Sequence, residues 1–515
     1  MRINRVFLLS SFITFLSRIS GFIRDILIAS VFTPGLHTDA FFVSFKIPNL
    51  LRKIFAEGAF SQVFIPILIE YKKNHNDMEI NIFISCVFRW LVLFLILITI
   101  IGILIAPILV FLISPGFIKN FEQFQLTVSL IRILFPYIIL ISIASLFSSI
   151  LHSLNQFFIS LISPILLNIS MIFFILFITP KLTENNIISL AWSVLIGGLM
   201  QLYFSFIFLK RNDISINYFQ IKHPEIFKIL FLIGPAIFGI SINQILTMLN
   251  TAISSFLSPG SISWMYYADR IVELPMGILG VSIINILLPY LSKSISFNKI
   301  KEYSDILCWG LQVCFLLVLP SSIILITLSR PLIITLFQYQ NFSDFDVIMT
   351  QKSLIGYAIG LTGFILVKIL TLAFYSYKNF RTPIYYAAIM LLITQCMNIL
   401  FVTFFQHAGL SLSISITAYI HAGLLYWKLY KKKYLIHFSG WSRLFLSILF
   451  SSFIMFIIIL FLSSLVSNWM HGGIFYRLIR MSGIILISII VYFSALFLLG
   501  IKINHILSFR SIINN

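Results

Sequence analysis

Charged residues inside otherwise apolar runs are the feature of this sequence that most constrains its fold. Of its 515 residues, 60% are hydrophobic and 10% are charged, whereas soluble proteins average about a quarter charged. Runs of about 18 or more apolar residues are typical of transmembrane helices. A charged group in hydrocarbon costs about 3 kcal/mol or more, so it usually faces a water-filled cavity inside the protein. The sequence therefore predicts a membrane protein whose charges mark the path of a substrate or ion.

Hydropathy predicts an all-α polytopic fold of about fourteen transmembrane helices. They lie near residues 3–31, 37–70, 80–113, 122–153, 157–179, 186–210, 222–257, 262–296, 299–328, 347–377, 381–405, 408–431, 440–466 and 474–500. Several exceed the roughly 20 residues that a bilayer needs, which predicts kinked, tilted or projecting helices. The first resembles a signal peptide, but Arg18 interrupts it before any small-residue cleavage site. We therefore expect an uncleaved first span.

The distribution of basic residues predicts the orientation in the membrane. With the N-terminus in the cytoplasm, the opposite side receives only Lys119, Lys181, Arg330, Arg477 and Arg480. Such a bias fixes orientation, so we expect both termini in the cytoplasm. It also explains the net charge of +19 without nucleic acid as a partner. The four cysteines lack paired spacing and are typical of buried small hydrophobes. Glycines 356, 360 and 363 predict close helix packing.

Two stretches of the sequence share a pattern that predicts an internal repeat. The first contains Pro34-Gly35, Lys46-Ile47-Pro48 and Ile65-Pro66-Ile67-Leu68, and the second contains Pro259-Gly260, Glu273-Leu274-Pro275 and Leu288-Pro289-Tyr290-Leu291. Transporters built from parallel repeats place their site between the halves, near the bilayer midplane. We expect residues 1–210 and 211–433 to form two six-helix lobes around a central cavity. Residues 434–515 add two transmembrane helices and a cytoplasmic tail.

The second predicted span carries a stripe of charge along one helix face. Its members recur at intervals of seven, seven and four residues, at Asp39, Lys46, Lys53 and Glu57. On an α-helix they stay within about 40° of one another. Asn49 lies near the edge of this stripe, whereas Arg52 points elsewhere on an ideal helix. Pro48 removes a backbone hydrogen bond and bends this region.

The first and eighth predicted spans carry the remaining charges. In the first, Arg18 and Asp25 share a face and Arg24 lies about 120° away. In the eighth, the charged residues are Asp269, Arg270 and Glu273. Guanidinium groups suit phosphate because their planar fork donates two parallel hydrogen bonds. One interpretation is a cavity whose arginines hold an anionic headgroup and pair with the acids in its absence. The other is a set of buried ion pairs that lock helices together.

Three motifs also carry a family resemblance. They are Thr38-Asp39-Ala40-Phe41-Phe42-Val43 continuing through Lys46-Ile47-Pro48-Asn49-Leu50-Leu51-Arg52-Lys53 to Glu57-Gly58-Ala59-Phe60-Ser61-Gln62, then Ser263-Trp264-Met265-Tyr266-Tyr267-Ala268-Asp269-Arg270, and Ser17-Arg18 with Gly21-Phe22-Ile23-Arg24-Asp25. In these motifs the chain resembles the bacterial lipid II flippases, the MurJ (also called MviN) family. The similarity runs nearly end to end, and the long motif is highly specific.

The resemblance implies a fold, a cargo and a set of site residues. The fold is that of the multidrug/oligosaccharidyl-lipid/polysaccharide exporter superfamily, with two further C-terminal helices. The cargo would be lipid II, the undecaprenyl-pyrophosphate-linked peptidoglycan precursor, moved to the periplasmic leaflet of the bacterial inner membrane by alternating access. Substrate-binding residues would be Arg18, Arg24, Arg52 and Arg270. Polar or ion-pair lining would come from Asp25, Asp39, Lys46, Asn49, Lys53, Glu57, Ser61, Ser263, Asp269 and Glu273.

The sequence also predicts partners and leaves alternative functions open. We expect lipid II and membrane lipids as partners, cell-wall synthesis proteins as candidate partners, a monomer and no cofactor. The sequence has no phosphate-binding loop, zinc signature or catalytic triad pattern, which favours a transporter over an enzyme. The alternatives are a flippase for another polyprenyl-linked glycan, a drug or cation antiporter of the same superfamily, and a non-transporting scaffold. An antiporter would need an acid-dominated cavity, whereas basic residues outnumber acidic ones in these motifs.

Overall fold

The computed structural model describes residues 2–55, 59–154, 156, 158–182, 186–212, 214, 224–226, 244–432, 434, 441–466 and 468–501. For residues 2–11, 53–55, 59 and 62 it describes the backbone alone. Within these ranges the chain is helical and has no β-strand, which confirms the predicted all-α fold. The chain divides into two units, Met1–Ser263 and Trp264–Asn515. The domain boundaries expected at residues 210 and 433 stay predictions.

The first unit is built around one helix that is buried on all sides. Its helices are α1 Arg2–Phe32, α2 Leu36–Phe55, α3 Ala59–Asn74, α4 Asp77–Leu104, α5 Ala106–Ile113, α6 Phe121–Leu134, α7 Tyr137–His152, α8 Phe158–Phe173, α9 Ile188–Lys210 and α10 over residues 244–254. The central helix is α7, which packs against α2, α3, α4, α8 and α9. Nearly all its side chains are buried, including several serines. A helix whose buried side chains are uncharged, with only hydroxyl groups among apolar residues, suits such a position.

The second unit has α15 at its centre. Its helices are α11 Ser261–Pro275, whose first turn belongs to the first unit, α12 Val281–Ser296, α13 Ile300–Thr327, α14 Ser329–Phe337, α15 Asp344–Ser376, α16 Arg381–Phe405, α17 His407–Lys431, α18 Trp441–Ser464 and α19 Ile474–Leu498. Helices α15 and α17 pack extensively against each other. A Cβ added at Gly356 would lie 2.6 Å from Ser411 Oγ, and one at Gly360 would lie 2.7 Å from Ser415 Cα. The predicted glycine ridge is therefore a helix-packing surface.

Among the described residues, eleven helical segments are long and apolar enough to cross a membrane. They coincide with eleven of the predicted spans, so the polytopic membrane class is confirmed. The predicted spans at 3–31 and 37–70 are helical as α1 and as α2 with α3, and each carries several charged residues. The predicted span at 222–257 falls mostly outside the described residues. The total of fourteen therefore stays a prediction.

The last two helices pack against the rest of the second unit, and a buried arginine joins α19 to α14. Helix α18 packs against α13, and α19 packs against α14. Arg477, in the first turns of α19, is 9% exposed. It donates to the carbonyl oxygens of Gln338 at 3.2 Å and Ile334 at 3.5 Å, at the end of α14. A helix C-terminus leaves carbonyl groups unpaired and carries partial negative charge, so the guanidinium stabilises the end of α14.

A single residue connects α16 to α17. Gln406 has a φ of 51° and a ψ of −131°, in a region of backbone space that favours glycine. Three residues later, a Cβ at Gly409 would lie 2.4 Å from the carbonyl oxygen of Phe401. Glycine at position 409 therefore allows the two helices to turn back on each other and pack.

Candidate functional site

Arg24 lies in a buried polar cluster of the first unit. Its Nε and Nη2 donate to Asp25 Oδ1 at 2.9 and 2.7 Å. Its Nη1 donates to Asn168 Oδ1 on α8, also at 2.9 Å. Arg24 is 9% exposed, and Asp25 and Asn168 are buried as well. The carboxylate neutralises the guanidinium and the amide fixes its orientation, as buried charge requires.

Asp39 caps the start of a helix. Its Oδ2 accepts from the backbone N–H of Gly260 at 2.7 Å. Its Oδ1 accepts from the backbone N–H of Ser263 at 2.9 Å and from Ser263 Oγ at 2.5 Å. These donors belong to the first turn of α11, where helix N–H groups have no partner within the helix. The expectation that Asp39 pairs with an arginine is therefore wrong for this structure, because these N–H and O–H groups hold its carboxylate.

Three further polar residues of α2 and α3 are hydrogen-bonded to uncharged side chains. Lys46 Nζ donates to Thr251 Oγ1 on α10 at 2.5 Å. Arg52 donates from both Nε and Nη2 to Asn49 Oδ1, at 3.0 and 2.8 Å. Ser61, on α3, is hydrogen-bonded to Ser149 of α7 with 2.9 Å between the hydroxyl oxygens. Lys46, Asn49, Arg52 and Ser61 are all partly exposed, so they remain accessible to a ligand.

In the second unit, the charged residues of α11 form an ion pair beside an aromatic ring. Arg270 Nη1 donates to Glu273 Oε2 at 2.6 Å, one helical turn away. The guanidinium carbon of Arg270 lies 4.8 Å from the centre of the Tyr266 ring, a cation–π distance. Asp269 and Glu273 are exposed and Arg270 is partly exposed. Glu273 thus pairs with an arginine as predicted.

The structure groups some of the predicted site residues and leaves others apart. Arg24 meets Asp25, Arg52 meets Asn49, Asp39 meets Ser263, and Arg270 meets Glu273. Arg18 is exposed on α1, away from the buried Arg24. Glu57 lies outside the described residues, as does the side chain of Lys53. In the part of the chain that is described, no cluster of histidine, cysteine and acidic side chains could hold a metal ion.

Sequence reasoning missed three uncharged partners of these residues. Asn168, Thr251 and Ser149 hold Arg24, Lys46 and Ser61, respectively. Asn168 carried a usable signal, because an amide inside an apolar span needs a partner. The threonine and the serine carried none, since hydroxyl side chains commonly bond to their own helix backbone.

Comparison with known proteins identifies the family. The family model described as "Lipid II flippase MurJ" matches residues 28–480. The chain belongs to the MurJ family. Among MurJ relatives, a probable lipid II flippase of Buchnera aphidicola subsp. Schizaphis graminum is 46% identical over 492 residues, 95% of each chain. The lipid II flippase MurJ of Burkholderia cenocepacia is 36% identical over 509 residues, 98% of each chain. The predicted family is thereby confirmed.

Solved structures place the MurJ fold in a wider group. A structure titled "Lipid II flippase MurJ, inward closed conformation" superposes with a TM-score of 0.78 at 29% identity, covering 95% of this chain and 98% of that one. An inward-facing multidrug transporter of the MATE family, in the MOP superfamily, gives a TM-score of 0.69 at 13% identity, covering 82% and 97%. At that identity the likeness shows the fold alone. This MurJ family member therefore has the transporter fold that its motifs implied.

Proposed function

We propose that this chain is a lipid II flippase of the bacterial inner membrane. In this function it carries lipid II from the cytoplasmic to the periplasmic leaflet. The proposal depends above all on the family match, which covers residues 28–480. Relatives named as lipid II flippases or probable lipid II flippases align with at least 95% of the chain. The class of function is transport, since the fold neighbours are transporters.

The arginines of the motifs are proposed to bind the diphosphate of lipid II. Arg24 and Arg270 hold carboxylates in this structure, and Arg52 holds an amide oxygen. Phosphate oxygens accept the same N–H groups and bear more negative charge, so a diphosphate can replace these partners. Arg18, exposed on α1, is proposed as a fourth contact. Lys46 and the polar side chains Asn49, Ser61 and Ser263 are proposed as lining.

Transport is proposed to follow alternating access with both termini in the cytoplasm. The binding residues are open first to the cytoplasm and then to the periplasm, while the polyprenyl tail stays in lipid. Moving an anion out of a negative interior is favoured by about 2.3 kcal/mol per charge per 100 mV. The membrane potential therefore supplies driving force whenever no compensating charge moves. The working unit is proposed to be a monomer, with cell-wall synthesis proteins as candidate partners.

Complementation tests the proposed function directly. The chain is expressed in a bacterium depleted of its own lipid II flippase, and lipid II in the outer leaflet is measured. Wild type should restore growth, whereas Arg270→Ala should reduce outer-leaflet lipid II by about ten-fold or more, because a charged hydrogen bond to phosphate is lost. Arg270 is partly exposed, so its removal should spare the fold.

A matched arginine controls for loss of positive charge alone. Arg330 is exposed at the start of α14 and lies outside the motifs, so Arg330→Ala should restore growth as wild type does. Immunoblots should show equal amounts of each variant in the membrane. If wild type fails to restore outer-leaflet lipid II, the proposed function is wrong. If Arg270→Ala restores it fully, the proposed site is wrong.

A further inference from the structure

We infer that Asn168 is a positioning residue that holds the guanidinium of Arg24 ready for the substrate diphosphate. The inference rests on the proposed function, in which Arg24 binds that diphosphate. Asn168 lies on α8, is 5% exposed, and belongs to none of the three sequence motifs. Its partners lie on α1, about 150 residues earlier in the chain, with sequence separations of 144, 148 and 151 residues.

Both ends of the Asn168 amide are fixed by hydrogen bonds to α1. Its Oδ1 accepts from Arg24 Nη1 at 2.9 Å. Its Nδ2 donates to Ser20 Oγ at 2.9 Å and lies 3.4 Å from the carbonyl oxygen of Ser17. Ser20 Oγ in turn donates to that same carbonyl oxygen at 2.9 Å. The amide therefore has one orientation, and it connects the guanidinium to the backbone of its own helix.

The approach of the two helices leaves little freedom for this amide. A Cβ added at Gly21 would already touch Asn168 Nδ2 at 3.4 Å. Helices α1 and α8 pack against each other along this region. Since a buried amide needs partners for both of its ends, these contacts hold Asn168 in place whether or not a ligand is bound.

A neutral side chain is the right chemistry for this position. Asp25 already balances the charge of Arg24 through the Nε and Nη2 edge of the guanidinium. A second carboxylate would make the cluster negative and repel a diphosphate, whereas an amide orients the guanidinium without adding charge. When a phosphate displaces Asp25 from the Nε and Nη2 edge, Asn168 still holds Nη1. The guanidinium of Arg24 is therefore already oriented when the ligand arrives, which lowers the entropy cost of binding.

Binding of lipid II to the purified full-length protein in nanodiscs tests this role. Asn168→Leu should weaken the affinity about ten-fold, the scale of one hydrogen bond to a charged group. Asn168→Asp is nearly isosteric and should also weaken binding, with a larger loss at low salt because of added repulsion. Gln201→Leu is the matched control. Gln201 is a buried amide on α9 that donates to the Ser163 carbonyl of α8 at 2.7 Å, with no contact to Arg24. The affinity of Gln201→Leu for lipid II should stay within about two-fold of that of wild type.

A double-mutant comparison separates positioning from structure. In an Arg24→Ala background, Asn168→Leu should change the affinity by less than about two-fold, because it acts through Arg24. If Asn168→Leu lowers the affinity for lipid II as much in the Arg24→Ala background as in the wild-type background, the inference is overturned. It is also overturned if Asn168→Leu and Asn168→Asp both bind lipid II with wild-type affinity. If Asn168→Leu does not fold, the smaller and uncharged Asn168→Ala decides in the same two backgrounds. If Arg24→Ala itself binds lipid II as wild type does, the proposed use of Arg24 fails instead.

Discussion

Asp39 and Arg24 are both buried charges, and their partners differ in kind. The carboxylate of Asp39 accepts two backbone N–H groups and one hydroxyl at the start of α11. The guanidinium of Arg24 donates to the carboxylate of Asp25 and to the amide oxygen of Asn168, and both of these acceptors are side-chain atoms. A phosphate can replace the side-chain acceptors of Arg24, whereas an anion that displaced Asp39 would have to cap the start of α11 in its place. At the residue scale, Asp39 therefore stabilises the start of α11, and Arg24 stays a proposed contact of the diphosphate.

Replacing Asp39 should cost folding stability. Asp39→Ala leaves the N–H groups of Gly260 and Ser263 without their acceptor, and losing an N-cap costs about 1–2 kcal/mol. We expect a lower midpoint of thermal unfolding in detergent than for wild type. Asp269→Ala, which removes an exposed carboxylate, is the control and should unfold near the wild-type temperature. Equal midpoints for the two variants would show that Asp39 does not act as a cap.

The sequence predicted the charged residues of the candidate site but not their distant partners. Arg24, Asp39 and Arg270 stand out because charge inside an apolar run is costly. Glu273 is predictable as a partner of Arg270, since residues three apart on a helix are neighbours. The partner of Asp39 lies 224 residues away and that of Arg24 on α8 lies 144 residues away. Helix periodicity carries no information on which distant helices pack together, so these contacts required the structure.

At the scale of elements, small residues decide how the second unit packs. Helices α15 and α17 are the most extensively packed pair, with Gly356 and Gly360 facing Ser411 and Ser415. Membrane helices lack a hydrophobic force between them in lipid, so close backbone approach and hydrogen bonds replace it. Ser415 Oγ donates to the Gly356 carbonyl oxygen at 2.6 Å, a bond that only a close approach permits.

A methyl group on this ridge should separate the two helices. In Gly360→Ala the new Cβ would lie 2.7 Å from Ser415 Cα, so the backbone must shift. We expect a loss of about 1–3 kcal/mol, as for other overpacked sites, seen as a lower unfolding midpoint and faster hydrogen exchange in α15. Gly423→Ala on α17 is the control, because its Cβ would meet nothing within 4 Å. It should be neutral or slightly stabilising. If both variants unfold at the wild-type temperature, Gly360 is not needed for the close packing of α15 and α17.

Hydropathy predicted where helices lie better than where they break. The predicted span at 80–113 is two helices, α4 ending at Leu104 and α5 beginning at Ala106. The predicted span at 262–296 likewise contains a π-helical turn, Met276–Gly280, between α11 and α12. An apolar run specifies burial in lipid along its whole length, whereas a break depends on local backbone geometry beside a proline. Pro275 directly precedes that turn, but Pro320 lies inside the unbroken α13, so proline alone does not mark breaks.

At the scale of the whole molecule, the proposed cargo makes transport electrogenic. Lipid II carries a diphosphate, and the proposed binding residues are arginines that stay with the protein. Outward movement of the headgroup therefore carries net negative charge across the field, unless an ion moves with it. A potential of 100 mV contributes about 2.3 kcal/mol for each charge moved.

Removing the potential should slow transport in cells that depend on this chain. Valinomycin in potassium buffer collapses the potential and leaves the pH gradient, so outer-leaflet lipid II should fall by about ten-fold or more per charge moved across 100 mV. Nigericin, which collapses the pH gradient and leaves the potential, is the control and should have little effect. Unchanged transport after valinomycin would show that compensating charge moves with the cargo.

The one-residue connection at Gln406 restricts how the second unit can move. Two spans joined without slack cannot slide past each other by even one helical turn, about 5.4 Å. Because α16 and α17 also pack against each other, we expect the two helices to tilt as a pair. Spin labels at the far ends of α16 and α17 should keep a constant separation throughout the transport cycle. The pair would then serve as a fixed reference against which the motion of other helices is measured.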